Sequence, residues 1–145
     1  MNWIKACQAL GILSVLVSAF PAYGERACVN EMLEGEYSFR ISGQILSGPL
    51  AGLDNGVALV TFDGDGNFIA KDHVVLNGVQ PANEWRQSTG VYSLNRACTG
   101  KAQVNFSDPR TPPIVYYFVL TDRGRQLDVV VGTPGANVSV VATKK

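Results

Sequence analysis

Histidine is nearly missing from these 145 residues: there is one, His73, beside three cysteines. A closed zinc site takes four nitrogen or sulfur ligands, and once Cys7 is lost with the expected leader, two cysteines and His73 fall short, so no metal is expected. An excess of one charge is missing too, since 12 basic side chains face 12 acidic ones. A neutral chain gives no electrostatic reason to expect nucleic acid or an anionic membrane surface as partner. Long apolar runs are confined to the start; after Phe20 none exceeds about seven residues, against the roughly 20 of a membrane-crossing helix. Beyond that point no stretch keeps a 3.6-residue apolar period for three turns, which argues against a helical domain. There is no Gly-rich phosphate loop, no nucleophile elbow and no acid pair at readable spacing, so no cofactor is expected and no enzyme class is assigned. With 46% apolar and 17% charged residues the chain still reads as globular rather than disordered or fibrous.

What is present begins with an export pattern. Residues 1–24 combine Lys5, a mostly apolar run from Ala6 to Phe20, and Pro21 followed by small residues at Ala22 and Gly24. The run is about 15 residues, short for a transmembrane helix and right for a secretory signal, with cleavage expected after Gly24. A permanent membrane anchor is the alternative for the same segment. A lipid anchor at Cys28 is disfavoured, because Glu25-Arg26-Ala27 puts charge where such a signal wants an aliphatic residue. The expected product is a secreted or periplasmic domain, 25–145, with no membrane contact once the signal is gone. Cys7 leaves with the leader. Cys28 and Cys98 remain, and an even pair in an oxidising compartment reads as one disulfide.

From Glu36 onward, short β-prone runs alternate with turn residues. Eight are expected: Glu36–Ser42, Gly56–Phe62, Asn67–Leu76, Thr89–Leu94, Lys101–Phe106, Ile114–Thr121, Gln126–Val131 and Asn137–Thr143. Asp63-Gly64-Asp65-Gly66-Asn67, Asp54-Asn55-Gly56, Asp122-Arg123-Gly124 and Thr133-Pro134-Gly135 supply residues that tolerate tight turns. Pro109, Pro112 and Pro113 lack the N–H of a sheet ladder, so Ser107–Pro113 is expected as a loop. Gly43–Asn55 and Val79–Ser88 are the longest irregular stretches, and Val29–Glu34 is the one helical turn. This spacing is that of an all-β antiparallel sandwich or barrel, and strands apolar on both faces favour a single eight-stranded antiparallel barrel with a short N-terminal helical turn.

Alternation along the strands divides the faces. Tyr37, Phe39 and Ile41 oppose Ser38 and Arg40; Ala102, Val104 and Phe106 oppose Lys101, Gln103 and Asn105. In Ile114–Thr121 both faces are apolar, as they are in Gly56–Phe62 and around Val129, Val130 and Val131. A strand apolar on both faces needs cover on both. The interior would then be apolar, and the outer wall would meet a second subunit, a loop or the N-terminal turn.

Candidate chemistry is sparse. Asp63, Asp65 and Asn67 alternate like the start of a calcium loop, but Phe68 replaces the sharp-turn Gly and Val74 stands where the bidentate Glu belongs, so a hairpin turn is expected instead. His73 could serve as a general base, yet neighbouring Asp72 points to the opposite face of the strand and cannot orient it. Asn105-Phe106-Ser107 and Asn137-Val138-Ser139 fit the glycosylation pattern but fall on expected strands, and carry no weight here. The better lead is polar groups on strands: Arg40, Asp72, Gln103, Asp128 and the hydroxyls of Tyr92, Tyr116 and Tyr117. Any of these facing inward would mark a ligand site, because a buried polar group is costly unless paired; the alternative is the solvated outer face. Trp85, in a loop, is a candidate lid for a barrel mouth or a cap on the core.

Gly35-Glu36-Tyr37-Ser38-Phe39, Phe62-Asp63-Gly64-Asp65-Gly66, Gly90-Val91-Tyr92 and Cys98-Thr99-Gly100 together resemble a pattern in small secreted bacterial proteins of uncharacterised function. Their architecture is similar to lipocalin-like (calycin) barrels and to the allene oxide cyclase-like barrel. The resemblance spans most of the domain and implies a lumen that holds a small apolar ligand. It also implies a second possibility, a cyclase or isomerase folding an apolar substrate against a few polar groups, although no catalytic residue carries over position by position. A third reading is a structural or interaction module with a solidly packed core, joined to partners or to a second copy through its outer strands.

Overall fold

The computed structural model describes residues 27–107 and 112–145. The expected signal segment and its cleavage point, Cys7, and Pro109 of the expected loop lie outside the described residues. Eight strands follow a single turn of 3-10 helix at Asn30–Leu33: β1 Gly35–Ile45, β2 Gly52–Phe62, β3 Asn67–Leu76, β4 Arg86–Leu94, β5 Thr99–Phe106, β6 Ile114–Thr121, β7 Gln126–Val131 and β8 Ala136–Lys144. Each pairs antiparallel with its neighbour in sequence, and β1 pairs with β8 to close the barrel. The expected helical turn over Val29–Glu34 is thus only one short 3-10 turn.

Side-chain alternation is kept around the whole wall. Tyr37, Phe39 and Ile41 of β1, Val60 and Phe62 of β2, Phe68, Ala70 and Asp72 of β3, Ala102 and Val104 of β5, Phe118 and Leu120 of β6, Leu127 and Val129 of β7, and Val138, Val140 and Ala142 of β8 all point into the lumen. Phe62 is the hub. Its ring stands edge-on to Tyr37 at 5.5 Å and to Tyr92 at 5.0 Å, and it lies 5.5 Å from Phe68. Each such pair adds about 0.5–1.5 kcal/mol beyond simple burial.

Two lumenal glycines make room for these rings. Gly90 faces Phe68 across the β3–β4 ladder and Gly100 faces Phe118 across β5–β6. A methyl group at either position would run into the facing ring. A ring laid across a bare backbone covers the apolar surface that glycine cannot supply.

The two ends of the barrel differ. At the end where β1 begins, the 3-10 turn drops fully buried Leu33 into the lumen, and the Cys28–Cys98 disulfide ties that segment to the β4–β5 hairpin. The Asn30 side chain accepts the Leu94 amide at 2.8 Å, its carbonyl accepts the Tyr92 hydroxyl at 3.3 Å, and the Tyr37 hydroxyl donates to the Gly124 carbonyl. This end is plugged. The expected hairpin at Asp63 is here too: one carboxylate oxygen accepts the amides of Asp65 and Asn67 at 2.8 and 2.9 Å, and the other accepts the Asn67 side chain. These bonds hold the Asp63 carboxyl below the usual carboxylate range, the Asn67 side chain contributing most.

At the opposite end the strands run further than their apolar pattern predicts. β1, β2 and β4 extend into Gly43–Asn55 and Val79–Ser88, which the sequence reads as irregular. Apart from Ile45 and Leu53 the extra rungs carry polar and glycine residues, so no alternation marks them. β3, β6 and β7 keep their expected bounds.

Candidate functional site

The site sits at this open end and is built from the last rungs of four strands. Asp72 and Arg86 face each other across the β3–β4 ladder, both pointing inward. Arg86 Nε donates to Asp72 Oδ1 at 2.9 Å and Nη2 to Oδ2 at 3.2 Å, so the guanidinium grips both carboxylate oxygens. The Asp72 side chain is 11% exposed and that of Arg86 is 41%. The cation is therefore half in water while its partner is not. The Phe106 ring lies under the guanidinium, 4.3 Å from its carbon.

Asp54 of β2 and Tyr116 of β6 complete the ring of polar groups. Burial pushes the Asp54 carboxyl above the usual carboxylate range; the Asp72 charge adds to this and Arg86 opposes it. The Tyr116 phenol is pushed up to about 12, chiefly by burial and then by the neighbouring Asp72 carboxylate. Among the described residues, two buried side-chain polar atoms have no hydrogen-bond partner: Asp54 Oδ1 and the hydroxyl oxygen of Ser88, which lies deeper on β4. Buried polar atoms are nearly always paired, so two orphans at one end of a barrel are a departure that needs a cause.

The space they border is small. A lumenal cavity of about 60 Å³ runs past Ser88, Asp72 and Tyr116 along Ile41, Val104, Phe118 and Val129. It adjoins a vestibule of about 170 Å³ that shares Ile41, Asp72 and Tyr116 with it and adds Asp54, Arg86 and Thr133. A further hollow of about 330 Å³ lies beside Arg86, under Pro49, Leu50, Val79 and Pro81. Drug-sized ligands occupy pockets of about 300–1,000 Å³, so the lumen proper takes only a short chain or a fragment of a ring. Asn77 braces this rim: its side chain accepts the Leu53 amide at 2.9 Å and donates to the Ala51 carbonyl at 2.7 Å, fastening the β3–β4 hairpin to the β1–β2 hairpin.

Of the residues singled out from sequence, Asp72 and Tyr116 meet at this mouth. Tyr92 also points inward, but at the plugged end, where its hydroxyl is spent on the Asn30 carbonyl. Arg40, Gln103, Tyr117 and Asp128 stand on the outer wall, because their strands present the opposite parity to the lumen. Gln103 there donates to Asn105 and Asp128 accepts from Gln126. Trp85 neither lids the mouth nor caps the core. It lies outside, 6.0 Å from the His73 ring, with Lys71 Nζ 5.8 Å from its centroid. His73 also faces outward; its two ring nitrogens meet the Glu84 carbonyl and the Gln80 side chain, which hold its pKa above the ordinary histidine value.

Asp54, Arg86 and Ser88 were not legible as site residues. Each lies in a stretch read as loop, and only an inward strand parity, had the strands been extended, would have pointed to them. Among the described residues no group of three or more His, Cys, Asp or Glu could hold a metal ion, and no helix is long and apolar enough to cross a membrane. Compared with known proteins, the chain matches no protein-family model, no curated protein and no solved structure.

Proposed function

We propose that this protein is an exported barrel that holds a small ligand at its open end, with an apolar part in the lumen and a polar part at the mouth. The observation that carries the reading is the asymmetry of the two ends. One is sealed by Leu33 and a disulfide, while the other gathers Asp54, Asp72, Arg86, Ser88 and Tyr116, two of them with unpartnered buried oxygens. A barrel serving only as a rigid body gains nothing from polar groups desolvated around a cavity, because each costs free energy unless satisfied. The cavity size narrows the expectation of an apolar ligand to a small amphipathic one. A cyclase or isomerase would use the same mouth, with Asp54 and Tyr116 as its titratable groups. Export is supported by the leader pattern of residues 1–24 and by a disulfide that suits an oxidising compartment.

Nuclear magnetic resonance of the labelled protein against a library of small amphiphiles tests the binding reading. Shifts at the amides of Asp54, Asp72, Ser88 and Tyr116 are expected; a library that perturbs nothing there overturns it. Amino-terminal sequencing of protein from the exported fraction should begin at Glu25, and an intact leader on all of it would remove the export proposal.

A second reading has an observation of its own. Tyr117, Val119, Val130 and Val141 are about half exposed on the outer faces of β6, β7 and β8, with Asp128 between Val119 and Val141. A wall of this kind suits a homo-oligomer or another protein partner. Sedimentation of the purified chain decides it, since a monomer at high concentration removes the self-association.

A further inference from the structure

We infer that the mouth selects a small primary ammonium ion carrying a short apolar tail, and that Asp54 is the group that takes the cationic head. The inference rests on reading the open end as a ligand site and adds the chemistry of the ligand.

Charge is the first ground. Among the described residues lining the lumen and vestibule, the charged ones are Asp54, Asp72 and Arg86. Arg86 is engaged on both oxygens of Asp72, and among the described residues no other cation lines the vestibule beside Asp54. An anionic head would meet two carboxylates and a guanidinium already in use. A neutral alcohol brings one donor and leaves the charge uncompensated.

Hydrogen bonding is the second. The orphaned atom of the vestibule, Asp54 Oδ1, is an acceptor, while the orphaned Ser88 Oγ borders the lumen instead. A primary ammonium has three N–H donors and no acceptor, so it supplies what the carboxylate lacks and restores the charge balance in the same contact.

Shape is the third. The head would stand in the vestibule, where Asp54 and Tyr116 both contribute wall. The tail would enter the lumen between Ile41, Val104, Phe118 and Val129. At about 60 Å³ that lumen is under half of the roughly 150 Å³ cavity known to take benzene, so it takes a few methylenes and no fused ring. The raised pKa of Asp54 agrees: the empty mouth disfavours its charge, and a cation beside it removes that penalty.

The test is calorimetric titration of the disulfide-bonded protein at low salt with n-butylammonium, n-butanol and n-butyrate. Butylammonium is expected to bind at least about tenfold more tightly than butanol, with butyrate weaker than both. Asp54→Asn should reduce butylammonium to the level of butanol and leave the thermal midpoint within a few degrees. Repeating the wild-type titration in mildly acidic buffers of different ionisation enthalpy needs no variant: butylammonium should release a proton on binding, and butanol should not. Equal affinity for butanol, unchanged butylammonium affinity in Asp54→Asn, or no proton release overturns the inference. If butanol or butyrate binds and butylammonium does not, the site stands and its preference for a cation falls. If none of the three binds, both fall.

Discussion

Arg86 and Asp72 are partners on the last rung of the β3–β4 ladder, and two hydrogen bonds of 2.9 and 3.2 Å join them inside the mouth of the barrel. The two are not equally replaceable. Arg86→Ala strands a carboxylate whose side chain is 11% exposed, whereas Asp72→Ala leaves a guanidinium that is 41% exposed and can turn to water. Breaking a fully buried pair costs roughly 3–5 kcal/mol; solvent at Arg86 lowers this, so Arg86→Ala is expected to cost about 2 kcal/mol and Asp72→Ala less. Urea unfolding of the two variants checks the order, and a larger loss in Asp72→Ala contradicts the account.

Gly90→Ala should destabilise through overpacking. The added methyl would enter the space of the Phe68 ring and of the Gln103 backbone carbonyl, which is fixed in the β4–β5 ladder. The expected loss is about 1–3 kcal/mol, and Gly90→Ala/Phe68→Leu should recover part of it. Thermal unfolding of the single and double variants measures both.

Reducing the disulfide should unseat the plug. Cys28 and Cys98 are 70 residues apart in sequence, and in the chain-entropy model a loop of that length is worth about 4 kcal/mol. A Cys28→Ser/Cys98→Ser variant should lose up to that amount in urea unfolding. Its first amides to exchange with solvent should include Leu94, which bonds to the Asn30 side chain.

Stability should fall in alkali. Tyr37 and Tyr116 are each pushed up to about 12 from 10.0, mainly by burial. Below pH 10 both states keep the phenolic protons and the pH has no leverage. Between 10 and 12 the unfolded chain ionises first, so the folded state holds more protons and loses stability as pH rises. Urea midpoints across that window should slope downward, and Tyr37→Phe should flatten the slope.

Most of the wall was readable because its inward face is apolar and its outward face is not, as with Tyr37, Phe39 and Ile41 against Ser38 and Arg40. The parity of β6 was not, since Tyr116 and Tyr117 sit among apolar residues on both faces; only the register with Ala102 on β5 shows which ring turns inward. The site itself was largely hidden. Asp54, Arg86 and Ser88 lie on rungs whose inward side is a water-accessible mouth, where hydrophobic alternation stops although the hydrogen-bonded ladder goes on. The signal that marks a strand is the same one that a polar site removes.

Seven of the eight ladders join strands adjacent in the chain; the eighth, between Gly35–Ile45 and Ala136–Lys144, is the seam. During synthesis the first strand is therefore made long before its second neighbour and waits with a raw edge until the last nine-residue strand arrives. A chain cut short before Ala136 would keep the hairpins from β1 to β7 yet expose two unpaired margins, and it would stack with its own kind instead of closing.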